Sequence, residues 1–248
     1  MTTSTLVIVR HGESTWNQQN LFTGWHDVPL SAKGEVEASD AGRVMADAGL
    51  RFDVGHTSLL TRAVETAHRA LQAMEQPWLP LSRSWRLNER HYGALQGLDK
   101  KATAERHGEA QTKLWRRSYD VPPPAVDATS PEHPKHDDRY RLLPPDVLPA
   151  TECLKDVVAR VLPYWHDAVV PQLRAGLTVL LVAHGNSLRA LVKHLESVSD
   201  DSIADLNIPT GQPRRYVFDA SLNVVDVAYL GDAEAVASAT DAVARQAG

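Results

Sequence analysis

A single cysteine, Cys153, stands among the 248 residues, so no intramolecular disulfide can form and a reducing, cytoplasmic setting is expected. Long apolar runs are missing too. None approaches the ~20 residues that cross a bilayer. The opening Met1-Thr2-Thr3-Ser4-Thr5 has no basic region, so neither a membrane partner nor a cleaved leader is expected. A basic excess is absent: 26 Lys and Arg face 31 Asp and Glu, for a formal net charge of −5. Such a surface does not attract nucleic acid, and an anionic ligand would need a local basic pocket. There is no internal repeat, no Walker phosphate loop and no Gly-x-Gly-x-x-Gly fingerprint.

What is present sits at the ends of two apolar runs. Leu6-Val7-Ile8-Val9 reads as a buried strand, and Arg10-His11-Gly12-Glu13-Ser14 follows it at once. Thr178-Val179-Leu180-Leu181-Val182-Ala183 reads the same way and is followed by His184-Gly185-Asn186-Ser187. Open α/β sheets collect ligands at the carboxyl ends of their strands. Two strand-end His-Gly pairs therefore predict one pocket built from both.

The residue types fit phosphoryl transfer. A neutral imidazole can attack phosphorus and carry the phosphoryl group covalently. The charge that develops on the equatorial oxygens is matched by guanidinium forks. Arg10, Arg62 and the pair Arg116-Arg117 supply them, and Glu89, flanked by cations and an aromatic, is the candidate general acid and base. Each residue alone also has an ordinary reading. A lone His-Gly fits a turn, Arg62 a solvated helix position, Arg116-Arg117 a surface pair, and Glu89 a partner for Arg86 or Arg90. The joint occurrence favours the chemical reading.

Along the chain, Ser31 can cap a helix ending at Gly49, with Val36, Ala41, Val44, Met45 and Ala48 near one face. Residues 52–56 read as a short strand. Leu60, Ala63, Ala67, Leu71 and Met74 form a helical stripe, and residues 85–93 read as a strand end and loop. Helices are expected over 100–107 and 110–117. Eight prolines fall within 122–149, which predicts a long loop, ordered over the sheet's carboxyl edge or partly disordered. His133 and His136 lie in it, and surface histidines are the better reading than a metal site. Pro163 should kink the helix of Leu154, Val157, Val161 and Trp165, or begin a second one. A helix over 187–195 can offer its first amides to a phosphate, and residues 216–219 with 224–229 form a hairpin. The alternation predicts an α/β fold, a three-layer α/β/α sandwich with a mostly parallel central sheet. One domain over 1–248 is expected, with a helical and loop insertion at about 95–150 and a tail over 232–248 that can be mobile.

These segments make the chain resemble the 2,3-bisphosphoglycerate-dependent phosphoglycerate mutases of the histidine phosphatase superfamily. The likeness runs through residues 6–17, 20–25, 84–98, 114–124, 183–191 and 206–211, nearly the whole chain. It implies that His11 is the phosphorylated nucleophile, Glu89 the proton donor and acceptor, and His184 the stabiliser of the transition state, with Arg10 and Arg62 beside them. It further implies ligand contacts from Gly12, Glu13, Ser14, Thr15, Trp16, Asn17, Thr23, Gly24, Arg90, His91, Tyr92, Lys100, Arg116, Arg117, Gly185 and Asn186. No metal is implied, and 2,3-bisphosphoglycerate would be the primer. A homodimer or homotetramer is the family's habit. Departures are Lys101 beside Lys100, Arg214-Arg215 where an apolar pair is usual, and an alanine-rich tail with few lysines.

The expected activity is interconversion of 3-phosphoglycerate and 2-phosphoglycerate, as in glycolysis and gluconeogenesis, acting on a small phosphorylated acid. The alternative is a histidine phosphatase acting on bisphosphoglycerate or another small phosphoester. A non-catalytic phosphate-binding protein is disfavoured, because His11, Glu89 and His184 are all kept.

Overall fold

A computed structural model describes residues 3–245. Six strands form one sheet in the order β3-β2-β4-β1-β5-β6. They are β1 (Ser4–Arg10), β2 (Val54–Thr57), β3 (Leu81–Arg83), β4 (Thr178–Ala183), β5 (Arg214–Phe218) and β6 (Val224–Tyr229). The first four are parallel neighbours, and β5 and β6 add an antiparallel hairpin beside β1.

The side-chain alternation of β1 and β4 explains the layers. Leu6, Ile8, Val179 and Leu181 face one core, shared with α6 (Leu154–Tyr164), α7 (Val170–Arg174) and α8 (Gly185–Leu195). Val7, Val9, Leu180 and Val182 face the other, shared with α2 (Ala32–Asp47) and α3 (Thr61–Ala73). Both faces being covered is why these strands read as unbroken apolar runs. The expected three-layer α/β/α architecture is the one observed.

Ser31 caps α2 through the Gly34 amide, as expected. The predicted apolar face is rotated, however. Val36 and Ala48 are exposed, and Gly34, Ala38, Ala41, Gly42 and Met45 carry the contact. Small residues win there because α2 packs closely on α3: a Cβ at Gly42 would lie 2.3 Å from the Ala70 carbonyl oxygen. The stripe on α3 is buried as predicted, from Leu60 to Met74.

Pro163 does not break its helix. The helical path runs on through a wider π turn at Trp165–Val169 and into α7, and the two residues that cannot donate, Pro163 and Pro171, lie on either side of that turn. Outside the sheet, α4 (Lys100–His107) and α5 (Glu109–Arg117) form the expected helical pair. Residues 122–149 form a loop with three short 3-10 turns, among them Asp138–Tyr140. Tyr140 is buried and accepts from Asn88 Nδ2 at 2.8 Å, and Arg139 pairs with Asp27, which seats this loop on residues 22–30. His133 caps the turn Pro134–His136 through the Lys135 amide. Arg214 pairs with Glu196 and Arg215 with Asp226, so these departures serve the hairpin. Of the tail, Ala233–Arg245 is helix α9, and residues 246–248 lie outside the described residues. The short helix α1 (Thr15–Gln18) completes the elements. Among the described residues, no helix is long and apolar enough to cross a membrane.

Candidate active site

The parallel pairing of β1 with β4 sets Arg10 opposite Ala183, so the next residue of each strand stands at the same sheet edge. His11 and His184 consequently meet with ring centroids 4.9 Å apart and planes at 61°. His11 Nδ1 lies 2.7 Å from the Gly12 carbonyl oxygen. A carbonyl only accepts, so Nδ1 carries the proton and Nε2 presents its lone pair. Arg62, at the start of α3, donates from Nε to that Nε2 at 3.3 Å. Its other nitrogens donate to the Gly24 carbonyl at 2.8 Å and the His26 carbonyl at 3.1 Å. Burial, then Arg62 and Arg10, hold the His11 imidazole well below its ordinary range. The result is a neutral imidazole whose Nε2 lone pair accepts a long hydrogen bond from Arg62, a bond that must give way when Nε2 attacks.

His184 is fully buried behind His11, and its Nε2 bonds the Ser58 hydroxyl at 2.7 Å. Burial, then Arg62 and His11, depress it likewise. It reaches the site by contact with the His11 ring and does not line the open pocket.

Glu89 Oε1 accepts three donors: the Arg90 amide at 2.7 Å, the Asn186 amide at 3.1 Å and Asn186 Nδ2 at 2.9 Å. One early amide of α8, that of Asn186, thus holds a carboxylate of the chain, at the helix end where amides were expected to meet a phosphate. Neither Arg86 nor Arg90 pairs with this carboxylate through its side chain; they donate to the carbonyls of Arg160 and Arg116. Underneath, Arg160 donates to the Glu89 carbonyl at 2.9 Å and pairs with Glu152 at 2.6 Å, and Trp25 Nε1 also donates to the Glu89 carbonyl.

Of the expected residues, Arg10, His11, Asn17, Thr23, Gly24, Arg62, Glu89, Tyr92, Lys100, Arg116, Arg117, Gly185 and Asn186 line one pocket. Arg10 Nε and Thr23 Oγ1, in residues that line this pocket, are buried without a hydrogen-bond partner among the described residues. Lys100 is pushed down to about 7 by burial, then by Arg116 and Arg10. Arg117 donates to Asn207 Oδ1 at 2.9 Å.

Seven expected ligands do not line it. Gly12 packs backbone on backbone: a Cβ would meet the Gly34 carbonyl oxygen at 2.2 Å. Glu13 accepts from Ser31 and Lys33. Ser14 caps α1 in a reciprocal box with Asn17. Thr15 lies in that helix, and Trp16 stacks on His26 at 4.2 Å. Arg90 is buried over the Tyr92 ring, at 4.5 Å. His91 is buried, accepts from the Gly93 amide, and is pushed down to about 3 by burial first, then His133 and Arg160. Of residues 12–17 only Asn17 lines the pocket, so sequence adjacency to His11 does not by itself mean contact with it.

Residues not foreseen line it instead: Leu21, Phe22, Arg189, Leu206, Asn207, Ile208 and, from α9, Val243. Arg10 Nη1 donates to the Ile208 carbonyl at 2.7 Å, which docks this stretch. Leu206, Asn207 and Ile208 belonged to a recognisable segment, and Arg189 stood one helical turn after Asn186, so position alone could have flagged them. Among the described residues, no group of three or more His, Cys, Asp or Glu could hold a metal ion.

The family description "Histidine phosphatase superfamily (branch 1)" matches residues 6–134 and 126–228. The chain belongs to that superfamily, a class of phosphoryl-transfer enzymes. Similar solved structures include a phosphoglycerate mutase from Bacillus anthracis, at 22% identity over 100% of this chain and 98% of that one, with a TM-score of 0.66. They also include a mycobacterial glucosyl-3-phosphoglycerate phosphatase, at 24% identity over 86% and 92%, TM-score 0.66. A third is the alpha-ribazole phosphatase of Shigella flexneri, at 20% identity over 90% and 95%, TM-score 0.65. At these identities the likeness is one of fold.

Proposed function

We propose that the chain is a phosphoglycerate mutase, interconverting 3-phosphoglycerate and 2-phosphoglycerate through a phosphorylated His11. The observation that carries this is the charge of the pocket. Arg10, Arg62, Lys100, Arg116 and Arg117 line it, against the single carboxylate of Glu89. These cations come from two parts of the fold. Arg10 and Arg62 flank the nucleophile, and Lys100, Arg116 and Arg117 come from the separate α4–α5 pair. A substrate with one anionic group has no use for the second set. A phosphorylated acid, with phosphate and carboxylate apart, uses both.

The proposed cycle follows from the tautomer of His11. Its Nε2 attacks phosphorus, the ester P–O bond breaks, and Glu89 gives a proton to the leaving oxygen. In reverse, a substrate hydroxyl attacks phospho-His11 while Glu89 takes the proton. Arg10 and Arg62 meet the charge on the transferring group, with His184 as a further stabiliser behind the His11 ring. The unpartnered donors Arg10 Nε and Thr23 Oγ1 fit the oxygens of 2,3-bisphosphoglycerate, which would supply the priming phosphoryl group when bound. A homo-oligomer working in the cytoplasm in glycolysis and gluconeogenesis is part of the proposal.

A phosphatase would share every step at His11 and differ only in passing the group to water. The test compares two rates from one sample: formation of 2-phosphoglycerate from 3-phosphoglycerate, with and without 2,3-bisphosphoglycerate, and release of inorganic phosphate. Primer-dependent isomerisation faster than release is the expected result. Release that outruns isomerisation makes the chain a phosphatase and overturns the mutase reading.

A further inference from the structure

Arg189 is buried in α8, about one turn past its start, and its side chain donates to neutral oxygens. Nη1 donates to Asn186 Oδ1 at 2.8 Å, and Nη2 donates to the Ile203 carbonyl. A buried cation held by neutral acceptors alone is costly.

An asparagine amide has one accepting end and one donating end, and it can turn over. Arg189 can only donate, so it fixes Oδ1 toward itself. The Nδ2 end is thereby turned to Glu89 Oε1, at 2.9 Å, and to the Tyr92 hydroxyl, at 3.2 Å. With the two backbone amides of Arg90 and Asn186, that gives Oε1 its three donors. The second oxygen, Oε2, faces the space beside Gly185. A Cβ there would lie 3.6 Å from Oε2 and 3.5 Å from Arg10 Cζ, in ordinary contact with both, which places Oε2 beside Gly185 and Arg10 at the pocket wall.

We propose that Arg189 is a positioning residue that locks the Asn186 amide, saturates Oε1 of Glu89 and so reserves Oε2 as the oxygen that gives and takes the proton. The inference rests on the reading of Glu89 as general acid and base, and holds whether the final acceptor is a hydroxyl or water. In the step concerned the His11 Nε2–P bond forms, the ester P–O bond breaks, and the Oε2 proton passes to the leaving oxygen. Without Arg189 the amide is free to turn its Oδ1 toward Oε1. Two acceptors in contact then draw the proton to Oε1, away from the substrate.

The experiment measures single-turnover phosphorylation of His11 from two donors, the alkyl ester 2,3-bisphosphoglycerate and p-nitrophenyl phosphate, whose leaving group needs no proton. Arg189→Met should lose about 30-fold on the alkyl ester and at least about tenfold less on the aryl ester, with the loss in rate and the half-saturating concentration within about twofold. Asn186→Ala should show the same selectivity, and the double variant should be no slower than Asn186→Ala alone, because both act through one contact. Equal losses on the two esters, or losses that multiply in the double variant, overturn the proposal. Glu89→Gln is run in parallel. If it too loses equally on both esters, the fault lies with Glu89 as the proton group, and both readings fall. Melting curves accompany each variant, and Arg189→Leu, which also removes the donor, carries the same comparison if Arg189→Met does not fold.

Discussion

Arg62 Nε donates to His11 Nε2 at 3.3 Å, and both side chains are almost wholly buried. The contact aims the lone pair of the nucleophile and keeps a fixed positive charge where phosphate oxygens would arrive. Burial holds Arg62 down to about 10, with Arg10 adding to the effect and Glu89 and Asp27 opposing it, which still leaves it charged at neutral pH. Arg62→Lys keeps a charge and loses the planar fork that also braces the Gly24 and His26 carbonyls. Phosphorylation of His11 should slow by about 100-fold or more. Rapid-quench measurement of phosphoenzyme formation checks this, and a loss under about threefold would remove Arg62 from the chemistry.

Acid should unfold the protein through its buried histidines. His11, His56, His91 and His184 all have folded values below the ordinary 6.5, each chiefly through burial. As pH falls below 6.5 the unfolded chain binds protons that the folded chain refuses. Stability present above that pH is therefore lost on the way down, at up to about 1.4 kcal/mol per pH unit for each histidine. For His91 the window runs from 6.5 to about 3. Urea midpoints across this range should fall steeply, and His91→Gln should flatten the slope by about one proton. A stability that does not change between neutral pH and pH 5 contradicts the account.

Lys100 sits near 7 because burial, Arg116 and Arg10 outweigh Asp99. An anionic substrate would raise it, so binding above neutrality should take up a proton. Calorimetry of 3-phosphoglycerate binding at about pH 8, in buffers of different ionisation enthalpy, should show uptake approaching about one proton. Lys100→Met should abolish it. Uptake that survives in Lys100→Met assigns the proton elsewhere.

The Glu89 segment rests on a buried ion pair. Arg160 donates to the carbonyls of Arg86, Asn88 and Glu89 and pairs with Glu152, whose other oxygen accepts from the His91 amide. Arg160→Met strands the Glu152 carboxylate and should cost about 3–5 kcal/mol. Chemical denaturation measures this, and a change below about 1 kcal/mol would show that the pair is replaceable.

Much of this was legible in sequence because it depends on local pattern. The runs ending at Arg10 and Ala183 give the central strands, and the stripe on α3 gives its buried face. Two histidines at parallel strand ends bring the site together through sheet register. What was not legible depends on distant partners. Gly12 reads as a ligand-side glycine until Gly34 is seen against it, and Ser14 until it caps α1. Val36 reads as core until the α2–α3 contact is seen to want small residues. Arg160, Glu152 and Ser58 have no motif of their own; they matter through what they touch.

The most direct measurement is the intact mass of the protein after incubation with 2,3-bisphosphoglycerate, before and after mild acid. The account predicts one added phosphoryl group on the wild-type chain, lost in acid, and none on a folded His11→Ala protein. An acid-labile phosphoryl group retained on His11→Ala, or a wild-type mass that never changes, would contradict it.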